Sequence, residues 1–207
     1  VTDARSGIEA TRISHRNLPD LVRIVVGVDV SAGGVDGETG IVGCGKDIRE
    51  HGYVLRDDTC SGDPAEWAPA VIRCFLELQA DKIVCEKNQG GLMIEHVVRQ
   101  TSVEINDVTI RGANLPVELV WASRGKHTRA EPISMLWAPG EQRGHYVGAL
   151  PELEDQCCTW VPGEDSPDRM DAKVWALTDL FPNEAESSEE SAVGGTRPLA
   201  RALKGLR

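Results

Sequence analysis

No stretch of the sequence is apolar for long enough to cross a bilayer, and the opening VTDARSGIEATRISHRN is polar and mixed in charge, unlike a secretory leader. Membrane insertion and secretion are therefore not expected. An initiator Met is also lacking, so the chain reads as a piece of something longer. The six cysteines (Cys44, Cys60, Cys74, Cys85, Cys157 and Cys158) include no CxxC pair, and no histidine spacing completes a zinc site. Several lie in apolar stretches, where Cys acts as a small hydrophobe, and a reducing cytosolic setting is expected. Internal repeats are absent, and so is any basic surplus. The formal net charge is −11. Residues 1–20 hold three acids and three bases, and residues 184–207 hold four of each, so the middle of the chain carries the entire −11. Such a surface repels a polyanion at long range. Any nucleic-acid binding must be local, or supplied by metal ions and a partner domain.

What is present suits one globular domain: 207 residues, 41% hydrophobic and 27% charged. Leu21 to Val30 (LVRIVVGVDV) is a β-branched run, the pattern of a central strand buried on both faces. A Gly-rich turn, Ser31 to Gly37, separates it from two more strand candidates, Thr39 to Cys44 and Gly52 to Asp58, joined as antiparallel hairpins. Asp63 offers an N-cap to a helix running to about Ala80, with Pro64 first and Glu66 completing a capping box. Pro69 inside it should kink or delay that helix. Strands are expected at Lys82 to Glu86, Val117 to Ala122 and Tyr146 to Gly148. Helices are expected at Gly91 to Gln100, Thr128 to Trp137, Pro151 to Cys158 and, capped by Ser166, Pro167 to Leu180. Strands reached through crossover helices should lie parallel to the first. The expectation is an α/β fold, a mixed sheet flanked by helices. Residues 1–17 read as an extension or linker, 18–183 as the domain, and 184–207 as a disordered tail.

Asp29 ends the first strand and Glu86 ends the strand KIVCE. If those strands are parallel neighbours, the two acids emerge side by side beyond the carboxyl end of the sheet, where such sheets present ligands. Asp171 lies in the first turns of the last helix. Three carboxylates gathered from distant segments repel one another unless a cation neutralises them, and hard oxygen ligands favour Mg²⁺ or Mn²⁺. Two such ions, about 4 Å apart, suit in-line attack on a phosphodiester. Taken singly, each acid is better explained as a strand-end or cap residue in solvent; the joint pattern is what is specific.

The segments VVGVDVSAGG, ETGIVGCGKD, GYVLRDDTCSGDPAEWA, DKIVCEKNQGG, WASRGKHTRAEPISMLW, HYVGALPELEDQCCTW and SPDRMDAKVWAL together resemble the nuclease domain of phage DNA-packaging terminase large subunits. They cover most of Val22 to Leu180. The resemblance implies an RNase H-like fold and a two-metal endonuclease that cuts concatemeric viral double-stranded DNA at packaging in the host cytoplasm. It implies Asp29, Glu86 and Asp171 as the catalytic, metal-binding acids, and Mg²⁺ or Mn²⁺ as the cofactor. Some relatives carry a further acid where this chain has Ala172, so a fourth acid must come from elsewhere, with Asp168 or Asp36 the candidates. Asp168 serves equally well as a first-turn acid favourable to the helix dipole. The partners implied are a preceding ATPase motor domain, the portal and the small terminase subunit. Another RNase H-like nuclease, such as a junction resolvase, and a non-catalytic packaging scaffold are the alternatives.

Gly40 to Lys46 (GIVGCGK) has the spacing of a phosphate-binding loop. Asp47 stands where the Ser or Thr should be, and no helix pattern follows, so this segment reads as part of a hairpin. The stretch SRGKHTR supplies Arg124, Lys126 and Arg129 as candidate phosphate contacts, or else an ordinary solvated loop. Lys87 and Asn88 follow Glu86 and are candidates to touch DNA or to support the metal site. His127 and His145 read as surface or loop residues, and Trp121, Trp137, Trp160 and Trp175 as core.

Overall fold

The computed structural model describes residues 2–30, 37–87, 91–121, 126–161 and 163–182. Its spine is β1 (Leu21–Val30), which forms where the β-branched run was read. β1 pairs antiparallel with β2 (Glu38–Asp47), and β2 pairs antiparallel with β3 (Gly52–Asp57). On its other side β1 pairs parallel with β5 (Lys82–Glu86), and β5 pairs parallel with β8 (Val117–Val120). β9 (Gly144–Tyr146) adds parallel to β3, and the two-residue β4 (Cys60–Ser61) pairs with β2. The result is a seven-stranded mixed sheet with the order β8-β5-β1-β2-β3-β9. Hairpins made the antiparallel half and crossover helices the parallel half, as connection lengths require. The GIVGCGK segment lies wholly inside β2.

Alternation along the strands assigns the two faces. Val25, Val42, Cys44, Val54 and Val84 point to one face, covered by α6 (Asp168–Leu180) through Ala172, Trp175, Ala176 and Leu180. Val26, Val28, Ile41, Ile83 and Cys85 point to the other face. There they meet α2 (Pro64–Glu77), through Trp67, Val71 and Ile72, and α3 (Gly91–Gln100), through Ile94 and Val98. Asp63 caps α2 by accepting from the Ala65 N–H, while Glu66 accepts from the Ser61 hydroxyl. The helix continues through Pro69. Burial pushes the Cys44 thiol up to about 12, which keeps it protonated in its role as a core hydrophobe.

Several boundaries move from the sequence reading. β2 extends to Asp47, β8 stops at Val120, and β9 falls two residues earlier than expected. α4 (Lys126–Ser134) starts early and tightens into a 3₁₀ turn at Met135–Trp137. A hairpin unread in the sequence, β6 (Ser102–Ile105) and β7 (Val108–Arg111), forms a separate two-stranded sheet. Its turn residues Asn106 and Asp107 both have positive φ, 50° and 63°, the conformation of a type I′ hairpin turn. The proposed tail 184–207 and most of the Gly-rich turn lie outside the described residues.

Residues 2–11 form α1 (Thr2–Thr11), which docks on the body of the domain. Ile8 is buried in the α6-side core. Arg12 grips Glu154, in α5 (Pro151–Thr159), through two hydrogen bonds of 2.6 and 2.7 Å, and Glu154 also accepts from the Leu150 N–H at 2.8 Å. The hydrogen bonds from Arg12, followed by that from Leu150, hold the Glu154 carboxyl below its ordinary range against the opposing effect of burial. A depressed folded-state value means that this contribution to stability is complete above the unfolded carboxyl range and disappears as pH falls through the folded value. Glu154→Gln should therefore cost about 2 kcal/mol at neutral pH, with the gap in Tm to wild type closing on acidification. A gap that stays constant from neutral to acid pH would show that the charge of Glu154 contributes nothing.

Candidate active site

Asp29 and Glu86 sit one residue beyond the register pair Val28 and Cys85 on parallel neighbours β1 and β5. Both share the face of Val25 and Val84, the face on which α6 lies. Two glycines let α6 come close there. A Cβ at Gly27 would overlap the carbonyl oxygen of Ala172, and one at Gly40, the register partner of Asp29, would overlap that of Asp168. Ion pairs clamp the helix at both ends. Arg169 reaches Glu38 at 2.9 Å and Asp57 at 3.3 Å, and Asp179 receives Arg23 at 2.8 Å. The first turn of α6, with Asp171, is thereby held over the carboxyl ends of β1 and β5.

The three acids are buried, with Asp29 and Glu86 each 8% exposed and Asp171 2% exposed. Protein groups already engage them. Trp175 donates its indole N–H to Glu86 Oε2 at 3.1 Å, and Arg129 brings a guanidinium nitrogen to 3.7 Å from the same oxygen. That guanidinium stacks on the Trp175 ring, 4.0 Å from its centroid. Ser166 donates its hydroxyl to Asp171 Oδ2, and α6 is capped at Pro167 without a side-chain bond, so the role read for Ser166 as a cap is replaced by one on the carboxylate. Asp168, half-buried, begins the helix one turn before Asp171.

The oxygen donors match a hard divalent cation in kind, and buried carboxylates at one sheet end call for positive charge. Among the described residues, however, no three Asp, Glu, His or Cys side chains stand arranged to hold a metal ion together. Trp175 and Arg129 are among the groups that engage Glu86, and Ser166 is among those that engage Asp171.

The remaining sequence candidates separate. Arg129 is buried, with its charge turned to Glu86 and Trp175. Lys87 follows Glu86, and its ammonium lies 4.5 Å from the ring centroid of Trp121. Trp121, expected in the core, is 67% exposed. β8 ends at Val120, one residue before Trp121, so the ring leaves the sheet edge rather than entering it. Trp137 and Trp175 are buried as expected. His145 stacks on His51 and Tyr53 and bonds the Thr11 carbonyl, a structural position. Asp36, Asn88, Arg124 and the side chains of Lys126 and His127 lie outside what is described. Sequence reasoning missed Trp175 as a partner of the site. The signal was its place four residues after Asp171, one turn along the same helix face.

A mixed sheet of this order with helices on both faces, and acids at the carboxyl end of its central strands, defines an RNase H-like fold. The nuclease domain of human cytomegalovirus terminase, in a manganese-soaked crystal, superposes with a TM-score of 0.55 and 14% identity, over 90% of this chain and 97% of that one. The nuclease domain of the large terminase subunit gp2 of bacterial virus Sf6 gives a TM-score of 0.56 and 12% identity, over 84% and 96%. The chain thus has the fold of terminase nuclease domains. No family model matches it, and no curated protein does. No helix among the described residues is long and apolar enough to cross a membrane.

Proposed function

We propose that this chain is the nuclease domain of a DNA-packaging terminase large subunit, cutting concatemeric viral double-stranded DNA as an endonuclease. The observation that carries the reading is the gathering of Asp29, Glu86 and Asp171, from three distant segments, at one end of a sheet whose fold two terminase nuclease domains share. These three acids would hold Mg²⁺ or Mn²⁺, with Asp168 or Asp36 as a further ligand. Held there, such ions would supply activation of water and stabilisation of the leaving oxygen of a phosphodiester. Trp175 and Ser166 would orient Glu86 and Asp171, and Arg129 would offset part of their charge. Lys87, with Asn88, Arg124 and Lys126, would meet phosphates, and the exposed Trp121 ring beside Lys87 offers an apolar surface to the nucleotide. Because the core of the chain is acidic, DNA binding should be weak and steeply salt-dependent. An ATPase motor, the portal and the small terminase subunit are the proposed partners, in the host cytoplasm.

A plasmid-nicking assay tests the activity: cleavage with Mg²⁺ or Mn²⁺, none with EDTA. Metal binding has a separate readout. An ion that binds the folded chain and not the unfolded one raises Tm, by about 2.7 kcal/mol of stability at a hundredfold excess over its dissociation constant. Millimolar affinity gives much less at ordinary concentrations. The shift should vanish in Asp29→Asn, which keeps size but removes charge. Equal shifts in wild type and variant would put the ions elsewhere on this acidic surface.

A further inference from the structure

Two positions past Asp171, on nearly the opposite side of α6, stands Lys173. It is 7% exposed. Its ammonium donates to the Cys157 sulfur at 3.0 Å and to the Tyr146 hydroxyl at 3.3 Å, and it lies 5.0 Å from the ring centroid of Trp137. None of these partners is a carboxylate, and no ion pair involves Lys173 among the described residues. An ammonium carries three protons, and two are placed. Burying a cation without a counter-charge is costly, and the nearby rings offset only part of that cost.

Beside Lys173 opens a cavity of about 230 Å³, with walls that include Ile8, Trp137, Pro139, Tyr146 and Cys157. Cavities of roughly 150 Å³ already take a molecule the size of benzene. One cation without a counter-charge among the described residues thus belongs to a small cavity with a largely apolar wall.

We propose that this cavity binds a small organic carboxylate. The anionic end sits on the Lys173 ammonium, and the apolar body rests against Ile8 and Pro139. A carboxylate fits better than a phosphate. One lysine balances one negative charge, whereas a phosphate near neutral pH brings more charge than that and is best met by arginine forks, and no arginine lines this cavity. Ile8 comes from α1 and Lys173 from α6, so the guest bridges the two helices and strengthens the docking of α1 on the domain. The site is separate from the carboxylates of the proposed nuclease centre.

The test is a thermal titration of the whole chain with benzoate, with benzamide as the neutral isostere and sodium chloride matching the ionic strength. At ten times its dissociation constant, benzoate should raise Tm by about 3 °C, and benzamide should not. Lys173→Met, apolar and of similar length, should abolish the benzoate response. A benzoate shift no larger than that of benzamide in the wild-type chain overturns the proposal without recourse to any variant. So does a benzoate shift that persists in Lys173→Met.

Discussion

Alanine at Asp29, Glu86 or Asp171 should abolish DNA cleavage while leaving the chain folded. The three carboxylates come from β1, β5 and α6, so no one segment can replace another's oxygen. Residues that merely support a metal site are worth about 10- to 100-fold; loss of a ligand should exceed that in each case. The prediction separates stability from function because burial makes these acids a burden on the fold. Removing a buried carboxylate relieves repulsion from its neighbours but leaves the groups that bonded it unpaired. For Glu86→Ala those groups include the Trp175 indole N–H and the Arg129 guanidinium. Glu86→Gln keeps an oxygen for both and should retain more stability than Glu86→Ala at equally low activity. Circular dichroism and Tm, measured on the preparation used for nicking, make the comparison. Cleavage retained by any one clean variant removes that residue from the site, and loss of fold in Glu86→Gln would mean that the carboxylate is structural.

Much of this arrangement was legible in the sequence, for reasons tied to particular residues. β1 and β5 carry β-branched runs buried on both faces, and such runs leave little choice of conformation. Their parallel pairing follows from the crossover through α2, and with it the adjacency of Asp29 and Glu86. Other features were hidden because they depend on neighbours that no local pattern reveals. Arg129 looks like the basic residue of a surface loop, yet stacking on Trp175 turns its charge inward. Trp121 looks like the end of a buried strand, yet β8 stops before it. Ser166 has the spacing of a cap, but the helix starts one residue later, with Pro167 at the cap position, and the Ser166 hydroxyl donates to the Asp171 carboxylate. The hairpin β6–β7 did carry a signal, Asn106-Asp107 between alternating apolar residues. Its four-residue strands are too short for periodicity to announce them.

Gly27→Ala should be among the most destabilising single-methyl additions in the molecule, and should cost cleavage as well. By backbone preference alone, alanine in a strand interior is favoured over glycine. At Gly27 that preference is overridden by what lies opposite. The new Cβ would overlap the carbonyl oxygen of Ala172 and stand 3.0 Å from the Ala176 amide nitrogen, both backbone atoms of α6. Side chains can rotate away; a hydrogen-bonded helix must move as a body. The helix is pinned by Arg169 at one end and Asp179 at the other, so relief at Gly27 strains ion pairs at both. Overpacking of this kind costs about 3 kcal/mol, which for a domain of this size is roughly 6–12 °C in Tm. The same displacement lifts Asp171 away from Asp29 and Glu86, so cleavage should fall even where the variant remains folded. Gly45→Ala on the adjacent strand is the control: its Cβ would meet the Leu21 side chain, whose tip can turn aside, and touch the tip of Leu55, with no backbone atom in the way, and the cost should stay below about 1.5 kcal/mol with activity intact. Equal losses in the two variants would show that the close seat of α6 on Gly27 is not what holds Asp171 in place.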